Sequence, residues 1–274
     1  PVAHSISPLM HNESFRLLGL DYVYLCFDVN EETLPAAVAG LKTCGIRGFN
    51  LTMPNKNKIV ELLDELSPEA QLIGAVNTVL NDNGKLIGYN TDGYGFMQSV
   101  RDAGHDITGK NITVMGVGGA SMAICAQSAL DGAASVHIFA RRTSRYWNRT
   151  QKFAENLSAK TGCQVCLFDN DDHTALRDSI AQSYLLINAT SVGMVPDIDD
   201  TIIKDTSLFH PELVVADVVY EPQETRLLRE AKAAGCQTFN GMYMLLHQGA
   251  KAFQIWTGQE MPVSVIKEKY FSVK

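Results

Sequence analysis

The run NITVMGVGGASMAICAQSALDGAASVHIFARR, from Asn111 to Arg142, constrains the fold of this chain more than any other feature. It reads as a β-rich stretch, a turn holding Gly116, Gly118 and Gly119, a helical stretch and a second β-rich stretch, within the roughly 30 residues of a βαβ unit. Parallel strands need such a crossover, and sheets built from them are covered on both faces. Two later runs, YLLINAT and LVVADVV, fit that setting: they are almost wholly apolar and turn polar only at their ends. The expected architecture is α/β, with a Rossmann-like doubly wound parallel sheet in the second half.

The glycine turn is also a ligand signature. Glycines allow the backbone to approach a pyrophosphate, and the helix amino terminus offers free N–H groups and partial positive charge. The expected contacts are Gly116, Gly118, Gly119, Ala120 and Ser121, with Ser121 standing where the fingerprint carries its third glycine. An acid at the end of the following strand favours NAD, and arginine favours NADP. Here the strand ends in ARRTSR, with Arg141, Arg142 and Arg145 and no acid, so NADP is expected and NAD stays open.

The first hundred residues alternate β-rich and helical patterns. YVYLCFDV (22–29) reads as a strand, LPAAVAGLKTCG as a helix ending at Gly45, IRGFNLT as a strand and KIVELLDEL as a helix stopped at Ser67-Pro68. A hairpin is expected at Asn83-Gly84 and a helix from near Tyr94. The expected domains are an α/β substrate domain over residues 1–96, the nucleotide domain over 97–240, and C-terminal helices over 241–274 that pack back on the first domain. The chain opens at Pro1 on a loop-like run, and an initial strand is expected to be missing from it.

Composition narrows the partners. A net charge of -7 over 274 residues argues against a nucleic-acid or anionic-membrane surface and leaves a small molecule as the expected ligand. No apolar run approaches the roughly 20 residues of a membrane span and no signal-peptide pattern is present, so a cytoplasmic location is expected. The six cysteines are scattered in apolar segments. Cys163 and Cys166 form a lone C-x-x-C without a second ligand pair, so no metal is expected.

Two polar islands interrupt the apolar rhythm, NLTMPNK at Asn50 to Lys56 and GYNTDGYG at Gly88 to Gly95. With AHSISP at the start, they set Ser5, Ser7, Asn50, Thr52, Lys56, Asn77, Asn90 and Asp92 at loop or strand-end positions. Singly, each has a plain structural role as a cap or turn residue. The neighbouring His4 and His11 read as loop or cap histidines, and His247 as a packing or rim residue.

Together the segments HSISP, NLTMPNK, GAVNTV, YNTDG, GVGGAS, NATSVGM, DVVYEP and NGMYMLLHQGAKAF resemble the shikimate dehydrogenase family, including its quinate-oxidising branch, nearly end to end. The resemblance implies reversible reduction of the C3 ketone of 3-dehydroshikimate with a nicotinamide cofactor. It implies that Ser5, Ser7, Asn50, Thr52, Asn77, Asp92, Tyr220 and Gln248 hold substrate oxygens and that Lys56 is the catalytic lysine. Thr190, Val192, Met194, Val218, Gly241 and Met244 are implied around the nicotinamide. Chemistry agrees, since an ammonium can stabilise charge growing on a ketone oxygen and supply the proton, with a carboxylate such as Asp92 holding it in register.

This chain departs from the family in carrying Ala140-Arg141-Arg142 where NADP-dependent members commonly have Asn-Arg-Thr. Quinate as a main substrate stays open, as do another two-domain dehydrogenase and a nonenzymatic dinucleotide sensor. A homodimer is also left open.

Overall fold

In the computed structural model, residues 5–271 are described; the chain up to Gly95 together with Leu245 onward forms one unit and Phe96–Met244 another. His4 lies outside the described residues.

The first unit opens with helix α1 (Ser7–Leu18), which Pro8 starts in its first turn. Next come α2 (Leu34–Thr43), strand β1 (Gly48–Asn50), the short helix α3 (Asn55–Lys58), β2 (Glu65–Leu66), α4 (Pro68–Ile73), β3 (Thr78–Asp82), β4 (Lys85–Tyr89) and α5 (Asp92–Asp102). Four strands form a sheet in the order β1-β3-β4-β2. The β3–β4 hairpin turns as expected at Asn83 and Gly84, which both take positive φ (52° and 92°).

Two local expectations give way to tertiary pairing. Residues 22–29 form no strand. The Asn12 side chain instead satisfies both main-chain groups of Tyr24, donating to its carbonyl at 2.9 Å and accepting from its N–H at 2.7 Å. KIVELLDEL is not one helix: a 3₁₀ turn over Ile59–Leu62 ends at Leu63, whose backbone is extended. Asp64 then docks on Leu86 through its own N–H (2.9 Å) and through its carboxylate, which accepts from Leu86 N at 2.7 Å. Sheet pairing outweighs a helical pattern of a few tenths of a kcal/mol per residue. Ser67 therefore starts α4, its side chain accepting from Ala70 N.

In the second unit, β5 (Asn111–Met115), α6 (Gly119–Leu130), β6 (Ser135–Ala140), α7 (Trp147–Thr161), β7 (Gln164–Asp169), α8 (His173–Gln182), β8 (Leu185–Asn188), β9 (Val214–Asp217), α9 (Arg226–Ala233) and β10 (Gln237–Phe239) alternate along the chain. The six strands are parallel, in the order β10-β9-β8-β5-β6-β7. β8 and β9 are buried at every residue, as the apolar runs require. The chain leaves β5 towards β6 on one side and returns to β8 on the other. A ligand crevice forms at the carboxyl ends of strands where the order reverses in this way.

Helices α10 (Met242–Thr257) and α11 (Val263–Ile266) follow, and the chain from Leu245 onward packs with the first unit. Trp256 Nε1 donates to Val79 O at 2.9 Å, and Arg47 Nε donates to Trp256 O at 2.8 Å. Among the described residues, no helix is long and apolar enough to cross a membrane, and no group of three or more His, Cys, Asp or Glu side chains is placed to hold a metal.

Candidate active site

Lys56 and Asp92 meet in the first unit. The turn of α3 carries Lys56, and its position is fixed by its own carbonyl, which accepts from Val76 N at 2.8 Å. Asp92 starts α5, where Asn90 Oδ1 accepts from its N–H at 3.1 Å. Lys56 Nζ donates to Asp92 Oδ2 at 2.6 Å, with both side chains mostly removed from solvent. An ammonium has three donors, so the pair leaves N–H groups for a further acceptor.

Asn77 is the hub of this cluster and is 2% exposed. Its Nδ2 donates to Asp92 Oδ1 at 2.9 Å and to Thr91 Oγ1 at 2.9 Å, and reaches Gln248 Oε1 at 3.5 Å. Its Oδ1 accepts from Thr91 N at 2.9 Å and Thr78 Oγ1 at 3.0 Å. Both oxygens of Asp92 are thus held, one by an amide and one by the ammonium. A buried network satisfied to this degree has a single geometry.

Asn50 joins the cluster, but its donors are committed within the protein. Nδ2 donates to Asn77 O at 3.1 Å and Thr78 Oγ1 at 2.9 Å, while Oδ1 accepts from the Tyr24 hydroxyl at 3.0 Å. Its remaining capacity is as an acceptor. Ser5 and Ser7 lie at the start of α1, with Ser5 Oγ accepting from Ser7 N at 3.3 Å. Thr52 is exposed, and its carbonyl accepts from Asn55 N at 3.0 Å.

Tyr24 was not among the residues expected from sequence. Its ring stacks on His11 with centroids 4.6 Å apart, and its hydroxyl bonds both Asn50 and the Ser7 side chain. Burial pushes its pKa up, so the phenol stays protonated as a donor. Thr78 and Thr91 were also missed, although both lie within motifs singled out in the sequence. His11 is a fully buried helical residue rather than a loop or cap histidine, and His247 is buried as a packing residue.

The second unit carries a cavity of about 1350 Å³ at its topological switch point. Common small-molecule pockets hold about 300–1,000 Å³, so this one suits an extended ligand. Gly116 turns the chain at φ 110°, and a Cβ there would come within 2.7 Å of Thr190 Cγ2, so only glycine fits between the β5 and β8 ends. Gly118 caps α6 without any side-chain bond, which leaves the helix N–H groups to a ligand. Gly118, Gly119 and Ala120 line the cavity, as do Thr190, Val192, Met194, Val218 and Tyr220. These features fit a dinucleotide.

Four residues expected at the cofactor do not line this cavity. Ser121 is buried, and its Oγ donates to Gly116 O at 2.6 Å, so it braces the turn from within. Gly241 bonds Val219 O through its N–H at 3.3 Å, and Met244 sits in the first turn of α10. Arg142 lies over the Trp147 ring at 4.7 Å. Arg141 and Arg145 do line the cavity, and Arg145 also stacks on Tyr146 at 4.7 Å and donates to its hydroxyl at 2.6 Å.

Comparison with known proteins places these features in one family. Residues 1–79 match the model of the shikimate dehydrogenase substrate binding domain, and residues 241–269 match that of the shikimate 5'-dehydrogenase C-terminal domain. Shikimate dehydrogenase (NADP(+)) of Listeria innocua is 52% identical over 271 residues, covering 99% of this chain and 93% of its own. The crystal structure of shikimate 5-dehydrogenase from Listeria monocytogenes in complex with shikimate and NAD superposes with a TM-score of 0.95 at 51% identity, covering 98% of this chain and 92% of that one. Quinate dehydrogenase from Corynebacterium glutamicum in complex with NAD matches at 0.87 and 31% identity, covering 100% and 96%.

Proposed function

The chain belongs to the shikimate dehydrogenase family, and from that premise we propose that it catalyses the reversible reduction of 3-dehydroshikimate to shikimate with NADPH. The observation that carries the proposal is the Lys56–Asp92 pair, 2.6 Å between Nζ and Oδ2, held from behind by Asn77.

A bound nicotinamide supplies a hydride to the ketone carbon and takes it back in the reverse direction. Lys56 then acts at the ketone oxygen. As negative charge grows there, an N–H of the ammonium stabilises it and transfers a proton, so the alcohol forms and the lysine recovers its proton from solvent. Asp92 orients Lys56 and holds the reacting hydroxyl in register, while Asn77 fixes Asp92. Gln248, Thr52 and the acceptor oxygen of Asn50 bind ring hydroxyls; Ser5 and Ser7 take the carboxylate; Tyr220 takes a further substrate oxygen.

In the second unit the turn at Gly116 to Ala120 takes the pyrophosphate, and Arg141 with Arg145 takes the 2'-phosphate that distinguishes NADP from NAD. Thr190, Val192, Met194 and Val218 surround the nicotinamide. The substrate is a small molecule, and neither nucleic acid nor membrane enters the reaction, which we place in the cytoplasm. Every residue named comes from one chain, so the same chemistry runs in a monomer or a homodimer.

A steady-state matrix of shikimate and quinate against NADP and NAD tests the proposal, with kcat/KM as the measure of discrimination. The highest value is expected for shikimate with NADP. Preference for quinate, as the resemblance to the Corynebacterium enzyme allows, would reassign the substrate; tight dinucleotide binding without turnover would make the chain a sensor.

A further inference from the structure

Asp217 is a carboxylate with no exposure at all, at the end of β9, and the chemistry above gives it no task. Its Oδ1 accepts from Val219 N at 2.9 Å and from Asn188 Nδ2 at 3.0 Å; its Oδ2 accepts from Thr225 Oγ1 at 2.8 Å. Asn188, paired with Asp217 across the β8–β9 ladder, is equally buried. Its Nδ2 also donates to Val192 O at 3.1 Å, and its Oδ1 accepts from Thr190 N at 3.1 Å and Thr190 Oγ1 at 2.7 Å.

The two side chains therefore tie together the loops that leave adjacent strand ends. One loop carries Thr190 and Val192, the other Val218 and Val219, and all four residues line one side of the cavity. Thr225, at the amino end of α9, anchors the far side of the tie. Removing a carboxylate from water is costly, and burial holds the Asp217 pKa above the usual carboxylate range. A buried acid that makes three hydrogen bonds, one to Val219 in the cavity wall and one to the Asn188 side chain that holds Thr190 and Val192 there, is an expensive feature for packing alone to explain.

We infer that Asp217, with Asn188 and Thr225, is a positioning strap that sets the two loops against the nicotinamide half of the cofactor and leaves the adenosine half untouched. The inference rests on the dinucleotide reading of this cavity. It differs from an ordinary structural role in predicting that loss of the strap separates two halves of one ligand.

The test compares Asp217→Asn and Thr225→Val with the wild-type chain, using NADPH as the full ligand and adenosine 2',5'-bisphosphate as a probe for the adenosine end alone. Misplacement by about 1 Å can cost up to about a hundred-fold in rate, so kcat should fall about ten-fold or more and KM for NADPH should rise. Affinity for the bisphosphate should stay within about two-fold, because Gly118 to Ala120 and Arg141 lie outside the strap. Thr225→Val removes the donor to Asp217 Oδ2 and the acceptor that caps α9 at Leu228 N but leaves the carboxylate in place, so it serves if Asp217→Asn fails to fold. Thr225→Ser, which keeps the hydroxyl, should recover most of the kcat that Thr225→Val loses. Unchanged kcat and KM in a folded Thr225→Val chain, or bisphosphate affinity falling in step with kcat, would overturn the strap. A wild-type chain that binds neither NADPH nor the bisphosphate would instead overturn the dinucleotide reading, and the strap with it.

Discussion

Lys56 Nζ lies 2.6 Å from Asp92 Oδ2, although 36 positions separate the two residues in the chain. The contact depends on two independent local structures, the turn of α3 and the first turn of α5, each fixed by its own hydrogen bonds. Val76 N holds the Lys56 carbonyl, and Asn90 holds the Asp92 N–H. The side chains therefore meet without searching, which is the condition for acid–base chemistry at a defined atom.

Replacing Lys56 by alanine should lower kcat about a hundred-fold or more, with a modest change in KM for shikimate, because a positioned acid–base group typically contributes 10²–10⁴-fold. Initial rates at saturating shikimate and NADP measure the effect. Turnover near that of the wild type would remove Lys56 from the mechanism.

Arg141 and Arg142, the two arginines directly after β6, are expected to differ in effect. Arg141 lines the cavity and stacks on no ring among the described residues, whereas Arg142 is spent on Trp147. A charge-assisted hydrogen bond is worth about 1.5–3 kcal/mol, so Arg141→Ala should cut the NADP-over-NAD ratio of kcat/KM about ten-fold or more. Arg142→Ala should leave that ratio unchanged and cost about 0.5–1 kcal/mol of stability, the usual worth of an exposed cation–π contact. Equal loss of discrimination in both variants would show that Arg142 leaves Trp147 to meet the phosphate.

The nucleotide unit was the more legible half of the chain, for a physical reason. Gly116 sits at a φ that side chains avoid, and a Cβ there would come within 2.7 Å of Thr190 Cγ2, so its identity is forced locally. Asn83-Gly84 is forced in the same way by a two-residue turn. YVYLCFDV looked like a strand because its side chains suit one, yet Asn12 takes the backbone bonds of Tyr24. The division of labour between Arg141 and Arg142 turns on a ring five residues beyond Arg142, and the Tyr24 hydroxyl finds Asn50 from 26 positions away. Lys56 and Asp92 stood out as types; that they touch is a fact of folding.

Tyr24→Phe should keep the ring stacked on His11 and delete only the hydroxyl that fixes Asn50 Oδ1 and meets Ser7. A net hydrogen bond of about 0.5–1.5 kcal/mol is lost, so KM for shikimate should rise about three- to ten-fold with kcat within about two-fold. Steady-state titration of shikimate at fixed NADP decides it. An unchanged KM would reduce Tyr24 to a packing role.

His11 should make stability depend on pH through the folded core. Its ring is fully buried among Phe15, Tyr24, Phe253 and Trp256, and neither nitrogen has a hydrogen-bond partner. Burial lowers its pKa from 6.5 to about 3. As pH falls below 6.5 the unfolded chain takes up a proton that the folded chain refuses, so stability is complete above that pH and drains away towards pH 3. Between pH 7.5 and pH 5 the loss from this one residue should be about 2 kcal/mol. Urea denaturation at the two pH values, for the wild type and for His11→Phe, isolates it: the pH-dependent difference in the wild type should exceed that in the variant by this amount, whatever the substitution does to absolute stability. Equal pH dependence in the two chains would mean that the folded core accepts the imidazolium.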